Sequence, residues 1–391
     1  MSDSTISEVK TTDAATTDAA TTDAAATDAA AKDERVKSET RFAKFLRRPE
    51  LGALAGLVLV TLFFVITADP VMFTLAGTMN WMQPAAQIGI LAIGAALLMI
   101  GGEFDLSIGS MVAFAGLIFA TLVVNTGLPL ILVIPITLVL AGIVGYINGQ
   151  IVIRTGLPSF IVTLAFLFIL RGFSLVGLKI ATGGSTQLRG VRDAVANDFL
   201  TPFFSGDAFG GLFLWLAEQG WIETFKNGTP KVTGIPVEIL WFVFITAIAT
   251  HILLRTSVGN WIFAAGGDAR SASNSGVPVN HVKTALFITT ALCATLVAII
   301  TVMDSGSTDS TRGNLKEFEA IIAAVIGGCL LKGGYGSAIG AFFGAIIFGM
   351  VIIGLTYTDF DQDWFKVFLG TILLVAVLFN NYIRKQVTGE R

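Results

Sequence analysis

A chain of 391 residues, 54% hydrophobic and only 14% charged, lies outside the soluble globular class, in which about a quarter of residues carry charge. The net charge of −3 gives no ground for a nucleic-acid partner, and ten of the 28 acids fall within the first 50 residues, ahead of the apolar part. Two cysteines, Cys293 and Cys329, each inside an apolar run, make no disulfide framework, and two histidines, His251 and His281, fit no metal spacing.

What remains is an all-α integral membrane protein, since backbone exposed to lipid must satisfy its own hydrogen bonds. Residues 1–40 repeat the unit TTDAA at Thr11, Thr16 and Thr21. This acidic Thr/Ala-rich tail cannot bury a core and is expected to be disordered. The basic cluster Arg41, Lys44, Arg47 and Arg48 precedes the first apolar run, Leu51 to Ala68, and places the N-terminus in the cytoplasm by the positive-inside rule.

A second span is expected from Pro84 to Gly102. It ends in GGEFDLSIGS, which holds Glu103, Asp105 and Ser107. The 48 residues from Leu106 to Ile153 carry no charge, room for two spans of about 20 residues each, with the turn near Asn125 to Pro129. A fifth span starts at Leu157-Pro158-Ser159 and carries Arg171 near its outer end, where the side chain either pairs with an acid in the pore or, the favoured reading, snorkels to the interface.

Residues 183–235 form an outer loop. Within it, Phe209 to Phe225 looks like an interfacial helix anchored by Trp215 and Trp221. The sixth span runs from Pro236 to Leu254 and the seventh from Thr284 to Met303. Between them, residues 255–283 make a polar cytoplasmic loop. Gly266-Gly267 is read as loosening it, Asp268 as the N-cap of a short helix from Ala269 to Ser275, and Gly276 with Pro278 as its stop.

A polar outer segment then holds Asp304, Asp309, Arg312, Lys316, Glu317 and Glu319. Ala320 to Leu331 is too short to span; its glycines suggest a broken helix or an embedded hairpin. Gly333 to Thr358 supplies a ninth span with a small-residue face. Val367 to Ile383 supplies a tenth, closed inside by Arg384 and Lys385. The architecture is therefore about ten transmembrane helices in one domain, residues 41–391, with both termini in the cytoplasm. An internal echo, IGGEFDLSIGS at Ile100 and IGGCLLKGGYGS at Ile326, fits either duplicated halves or coincidence in a chain with 42 glycines.

Ionisable groups within membrane segments are functional by default. Glu103, Asp105, Ser107, Asn148 and Thr163 are candidates for the translocation path or for helix capping; for Glu103 and Asp105 contact with a partner at the cytoplasmic face is a third reading, and a cap is the favoured role for Asp105 ahead of Leu106. Asn148, Gln87 and Thr163 also suit interhelical hydrogen bonding. No phosphate loop of the form GxxxxGK[ST], no HExxH and no CxxC occurs in the chain, so transport energy must come from a partner or an ion gradient. A membrane-embedded enzyme would need clustered His, Cys or acids deep in the spans.

Four stretches in order resemble the permease subunits of bacterial ABC sugar importers, the family that includes the ribose and xylose permeases. Gly102 to Ser110 is similar to the family's GGIDLSVGS, with Glu103 replacing a glycine. Leu157 to Gly172 resembles its P-P/S-F-I-V-T-L…RG segment. Gly259 to Val277 resembles its cytoplasmic coupling segment, GRxIYAIGGNEEAARLSGI, although Ser271-Ala272-Ser273 stands where Ala-Ala-Arg is usual and Arg270 where an acid is common. Phe318 to Gly340 resembles the stretch ending in AVVIGGTSLSGGRGSVLG.

The resemblance covers most of residues 51–385. It implies an ATP-binding-cassette importer permease, in the bacterial cytoplasmic membrane, that moves a monosaccharide or related polyol and is not itself an enzyme. The implied partners are a cytoplasmic ATPase subunit that carries ATP and Mg, a periplasmic sugar-binding protein, a second permease copy in a homodimer, and membrane lipid; this chain itself is expected to bind no cofactor or metal. Gly267, Asp268, Ala269, Arg270, Ser271, Ala272, Ser273, Asn274, Ser275 and Gly276 would form the ATPase-coupling segment, with bulky charge at Ala272 expected to spoil its fit. The rival reading is an ion-coupled secondary transporter of a small polar solute, with Asp105 or Glu103 as the ion-sensitive carboxylate.

Overall fold

The computed structural model describes residues 49–364, with 366–368, 370, 371, 374, 375 and 378. The Thr/Ala tail, the basic cluster, Arg384 and Lys385 lie outside the described residues, as does most of the expected tenth span. Among the described residues, eight helices are long and apolar enough to cross a membrane.

Helix α1 (Pro49–Thr67) has Glu50 in its first turn and lies at the edge of the bundle, with much of its apolar surface exposed. Asp69 stops the chain in a 3-10 turn by accepting the Val71 N–H at 2.8 Å. Helix α2 (Leu75–Ile100) then begins at a Thr74 cap. It starts nine residues before Pro84, the expected first residue of the second span. Pro84 lies inside the helix, a position tolerated where neighbouring spans surround the chain, and Trp81 one turn earlier is buried and donates to the Met72 carbonyl at 3.3 Å.

Helices α3 (Ile108–Thr126), α4 (Leu130–Thr155) and α5 (Ser159–Thr182) follow, joined to one another by three-residue connections. Each of the three ends at a glycine with positive φ, Gly127, Gly156 and Gly183, whose N–H returns to the carbonyl four residues back. Residues 183–236 form a largely irregular cover. It holds β1 (Gln187–Arg189), α6 (Val191–Val195), α7 (Thr201–Phe204), β2 (Asp207–Ala208), α8 (Gly210–Glu218) and β3 (Ile235–Pro236). The expected interfacial helix is shorter than its apolar run: α8 stops at Glu218, Gly220 turns the chain at φ +75°, and Trp221 lies beyond the helix, exposed.

Helix α9 (Val237–Arg255) leads into two short helices, α10 (Ser257–Gly267) and α11 (Ala269–Asn274). Helix α12 (Val279–Ser305) returns through the bundle to β4 (Ser307–Asp309), which pairs antiparallel with β1, Leu188 opposite Thr308. Helix α13 (Lys316–Ile326) is a half-length piece that starts four residues before the expected short stretch at Ala320 and takes in Lys316, Glu317 and Glu319; irregular chain joins it to α14 (Ala338–Gly354). The centre of the bundle is α2, buried almost on every side, packed against α14, α13, α9 and α12. A helix apolar all round is the signature of such a central position. Helix α12 is the second central element, between α4 and α3.

Candidate functional site

Four clusters bear on function, and three of them meet at one end of the bundle. The first is the helix pair between α9 and α12. Asp268 caps α11 as its sequence position suggests: Oδ1 accepts the N–H groups of Arg270 and Ser271, both at 3.0 Å, and Oδ2 accepts the Ser271 hydroxyl at 2.9 Å. These bonds from Ser271, backbone first, hold the Asp268 carboxyl below the usual carboxylate range. The helix ends at Asn274, one residue earlier than its sequence suggests, and Gly276 turns out of it at φ +86°.

Arg270, Ser271, Ser273, Asn274, Ser275 and Gly276 are exposed. Ala272 is different: it is buried and belongs to the same core cluster as Val279 and Val282. Charge at Ala272 would therefore disturb this chain before any partner. The expectation that Ala272 presents itself to a cleft is corrected accordingly.

Sequence reasoning missed α10. Gly266-Gly267, read as a loosening of the chain, are the last two residues of a helix. Thr256 caps it by accepting the Gly259 N–H at 3.3 Å, and Gly259, Ile262 and Ala265 form its buried face. That face, at spacing i, i+3, i+6, was the signal available in the sequence.

Gly266 explains why glycine stands there. A side chain on it would overlap the Ile100 carbonyl oxygen, and its Cβ would lie 2.7 Å from the Gly334 nitrogen. Gly334 N–H donates to the same Ile100 oxygen at 2.8 Å. Three segments thus touch backbone to backbone: the end of α2, the end of α10 and the α13–α14 connection. Close approach of this kind is open only to residues without a side chain.

The second cluster is the break between α2 and α3, which gathers four of the five candidate path or cap residues, Asp105, Ser107, Asn148 and Thr163. Asp105 Oδ1 accepts the Ser107 N–H at 2.8 Å and the Ser107 hydroxyl at 2.6 Å; Oδ2 accepts the Thr290 hydroxyl of α12 at 2.8 Å. Asn148 of α4 donates to Ser107 Oγ at 3.1 Å. From α5, Thr163 Oγ1 accepts the Leu106 N–H and Ser159 Oγ the Phe104 N–H, both at 3.0 Å.

Asp105 is 6% exposed and Asn148 1%, so this network stitches irregular backbone to three spans in the interior of the chain. Asp105 does not cap α3 directly. The N-cap residue is Ser107, and Asp105 closes the turn that leads into it. Glu103, standing apart from this network, pairs with Lys283 of α12. Elsewhere Gln87 donates to Glu238 across α2 and α9 at 3.4 Å, an interhelical contact.

The third cluster is the internal echo. Gly101, Gly102 and Glu103 donate to the carbonyls of Leu97, Met99 and Leu98; Gly327, Gly328 and Cys329 donate to Ala323, Val325 and Ala324 in the same pattern. Gly102 and Gly328 have φ of +84° and +89°. The two motifs are the same helix stop, made twice.

The fourth cluster overturns two expectations. Arg171 sits at the midpoint of the 24-residue α5, not near its outer end, and it does not snorkel: Nη1 donates to the Arg312 carbonyl at 2.7 Å. The segment carrying Arg312, Lys316 and Glu317 is not a plain outer loop. It dips along α3, with Glu317 buried against Gly109. The free cysteines, Cys293 and Cys329, are buried, and no cluster of metal-ligating residues exists among the described residues.

Residues 77–377 match the family model described as the permease component of the branched-chain amino acid transport system. The chain is 31% identical over 366 residues to the xylose transport system permease protein of Escherichia coli K12, covering 85% of this chain and 92% of that one. It is 30% identical to the ribose import permease protein of Haemophilus influenzae (84% and 92% covered) and 28% identical to the fructose import permease protein of Rhizobium meliloti (78% and 77%). No solved structure matches the chain. The chain belongs to the family of permease subunits of bacterial ABC sugar importers, and is a multi-pass transport subunit of the bacterial inner membrane rather than an enzyme. That membership favours an ATP-driven importer over the ion-coupled alternative.

Proposed function

We propose that this chain forms half of the membrane pathway of an importer for a monosaccharide such as xylose, ribose or fructose, the sugars named in its relatives. Family membership implies a partner ATPase and a substrate-binding protein. In this reading two copies of the chain surround the path within membrane lipid. ATP and Mg sit on the partner ATPase, both termini are cytoplasmic, and the sugar arrives from a periplasmic binding protein.

One observation carries the reading: the glycine contact of Gly266 with Ile100 and Gly334. It ties the exposed helix α11, through α10, to the central span α2 and to the α13–α14 connection. A partner that grips Arg270, Ser271, Ser273 and Asn274 would move the ends of those elements as a body, with no soft joint between. Closure of the ATPase on ATP would thereby shift the bundle between its inward- and outward-facing states.

The test is a pull-down of the detergent-solubilised chain from native membranes, with mass spectrometry of what accompanies it. A co-purifying ATPase that is lost when Asp268 to Gly276 are replaced by a flexible linker supports the reading. An ATPase that still co-purifies with the linker variant removes α11 from the interface.

A further inference from the structure

Helices α9 and α14 both pack on α2, and the rings of Phe242 and Phe342 stack between them at 4.6 Å. Phe242 is fully buried, seated against α2 where Gly89 has no side chain; a Cβ there would overlap its ring. On the outward side of this ring pair the two helices leave an open groove of about 610 Å³. Its walls include Val243, Ala247 and Leu254 of α9 and Ile339, Phe342 and Phe343 of α14. The three α9 residues recur at steps of four and seven, one face of a helix, and all three are exposed.

The groove is largely apolar along its length and basic at one end. His251 and Arg255, one turn apart on α9, both line it and both are exposed. Among the described residues no carboxylate pairs with Arg255. Helix α14 starts at this same end, with Ile339 of its first turn in the wall, so its positive dipole end adds to the charge. From Val243 to Arg255, α9 rises about 18 Å, against about 15 Å for half of a membrane's hydrocarbon core. The groove therefore has the length of one leaflet, with its cations at headgroup level.

We propose that this groove is a site for one anionic phospholipid, drawn from the leaflet that adjoins α10 and α11. An acyl chain lies between α9 and α14, and the phosphate meets Arg255 and His251. The guanidinium donates two parallel N–H bonds to phosphate oxygens, and the imidazole N–H donates another. A zwitterionic headgroup would bring its own ammonium beside Arg255, so the site favours a headgroup of net negative charge. A second copy of the chain is the poorer occupant. Across a two-fold axis along the membrane normal the face would meet itself, with Arg255 opposite Arg255 at one depth, like charges in contact. Lipid binding here is independent of which solute is transported.

The test uses full-length chains purified in detergent, each checked by size-exclusion elution: wild type, Arg255→Ala, Arg255→Lys, Ala247→Trp and Ile248→Trp. Ala247→Trp fills the groove, whereas Ile248→Trp puts the same ring at the next exposed position of α9, outside the groove. Native mass spectrometry reads the lipids each chain retains from equal mixtures of dioleoyl phosphatidylglycerol and dioleoyl phosphatidylethanolamine. Separately, in a chain with Cys293 and Cys329 replaced by alanine, Val243→Cys is oxidised in native membranes to trap any pair of copies joined by a disulfide.

Wild type should retain phosphatidylglycerol over phosphatidylethanolamine by about fivefold, the worth of one cation beside a phosphate. Arg255→Ala and Ala247→Trp should bring the two lipids level, while Arg255→Lys and Ile248→Trp keep the preference. Equal retention by wild type, or a preference that survives Arg255→Ala, overturns the headgroup assignment and the site with it. Equal effects of Ala247→Trp and Ile248→Trp place the lipid outside the groove and overturn the proposal. A pair of copies trapped through Val243→Cys gives the groove to a second copy instead.

Discussion

Gly266 and Ile100 meet backbone to backbone, with no side chain between them: a methyl group on Gly266 would overlap the Ile100 carbonyl oxygen. The neighbouring Gly267 has open space where its Cβ would be. Two adjacent glycines in one helix thus have opposite tolerance for change.

Gly266→Ala is expected to cost about 1–3 kcal/mol by forcing backbone apart in a packed contact. Gly267→Ala is expected to be neutral or slightly stabilising, because alanine loses less freedom in a helix. Thermal unfolding in detergent compares the two. Equal losses would show that the contact is loose and that α10 does not transmit movement through it.

Asp268 accepts three hydrogen bonds in α11, and its carboxyl is held below the usual range. A lowered carboxyl stabilises above the usual carboxylate range, and that contribution is lost as the pH falls through the lowered folded value. Hydrogen exchange across residues 269–274 should therefore quicken on strong acidification in wild type, relative to Asp268→Asn measured at the same pH. Asparagine caps without titrating, so parallel pH dependence in the two proteins would remove the carboxylate from this role.

Glu103 and Lys283 pair where both side chains are mostly covered, 12% and 17% exposed. Each of Glu103→Gln and Lys283→Met should destabilise the chain, and the double variant by less than the sum. The difference should fall between about 0.5 and 3 kcal/mol, the range for residues in direct contact. A double-mutant cycle on thermal stability reads it, and strict additivity would mean that the pair is screened and idle.

Ala272 and Ser273 are adjacent in α11 but face opposite ways, the first buried and the second exposed. Ala272→Glu should lower the stability of the chain itself, since the acid would be buried without a partner. Ser273→Glu should leave stability unchanged and weaken association with the ATPase. A Ser273→Glu chain that binds and drives transport as wild type does would move the docking face elsewhere.

Much of the site was legible locally. The cap at Asp268 depends on a side chain two and three residues from the groups it satisfies, so a short stretch of sequence contains the whole interaction. The same holds for the stops at Gly127, Gly156 and Gly183. Arg171 was misplaced because snorkelling is the local solution for an arginine in an apolar run. Its actual acceptor, the Arg312 carbonyl, lies 141 residues away. Helix α10 was missed because two adjacent glycines read as a loop when their packing partners cannot be seen.

The sequence by itself determined the class, the expected order of spans, the capped short helix behind Asp268 and the family resemblance, because hydropathy and capping act over one helix or one turn. Only the tertiary structure decided that Asp105, Ser107, Asn148 and Thr163 share one buried network, and that residues 309–319 dip into the bundle. It alone showed that Gly266 is wedged against α2. Those outcomes follow from which helices pack together, and a buried hydrogen bond or a backbone contact has no partner until that packing has formed.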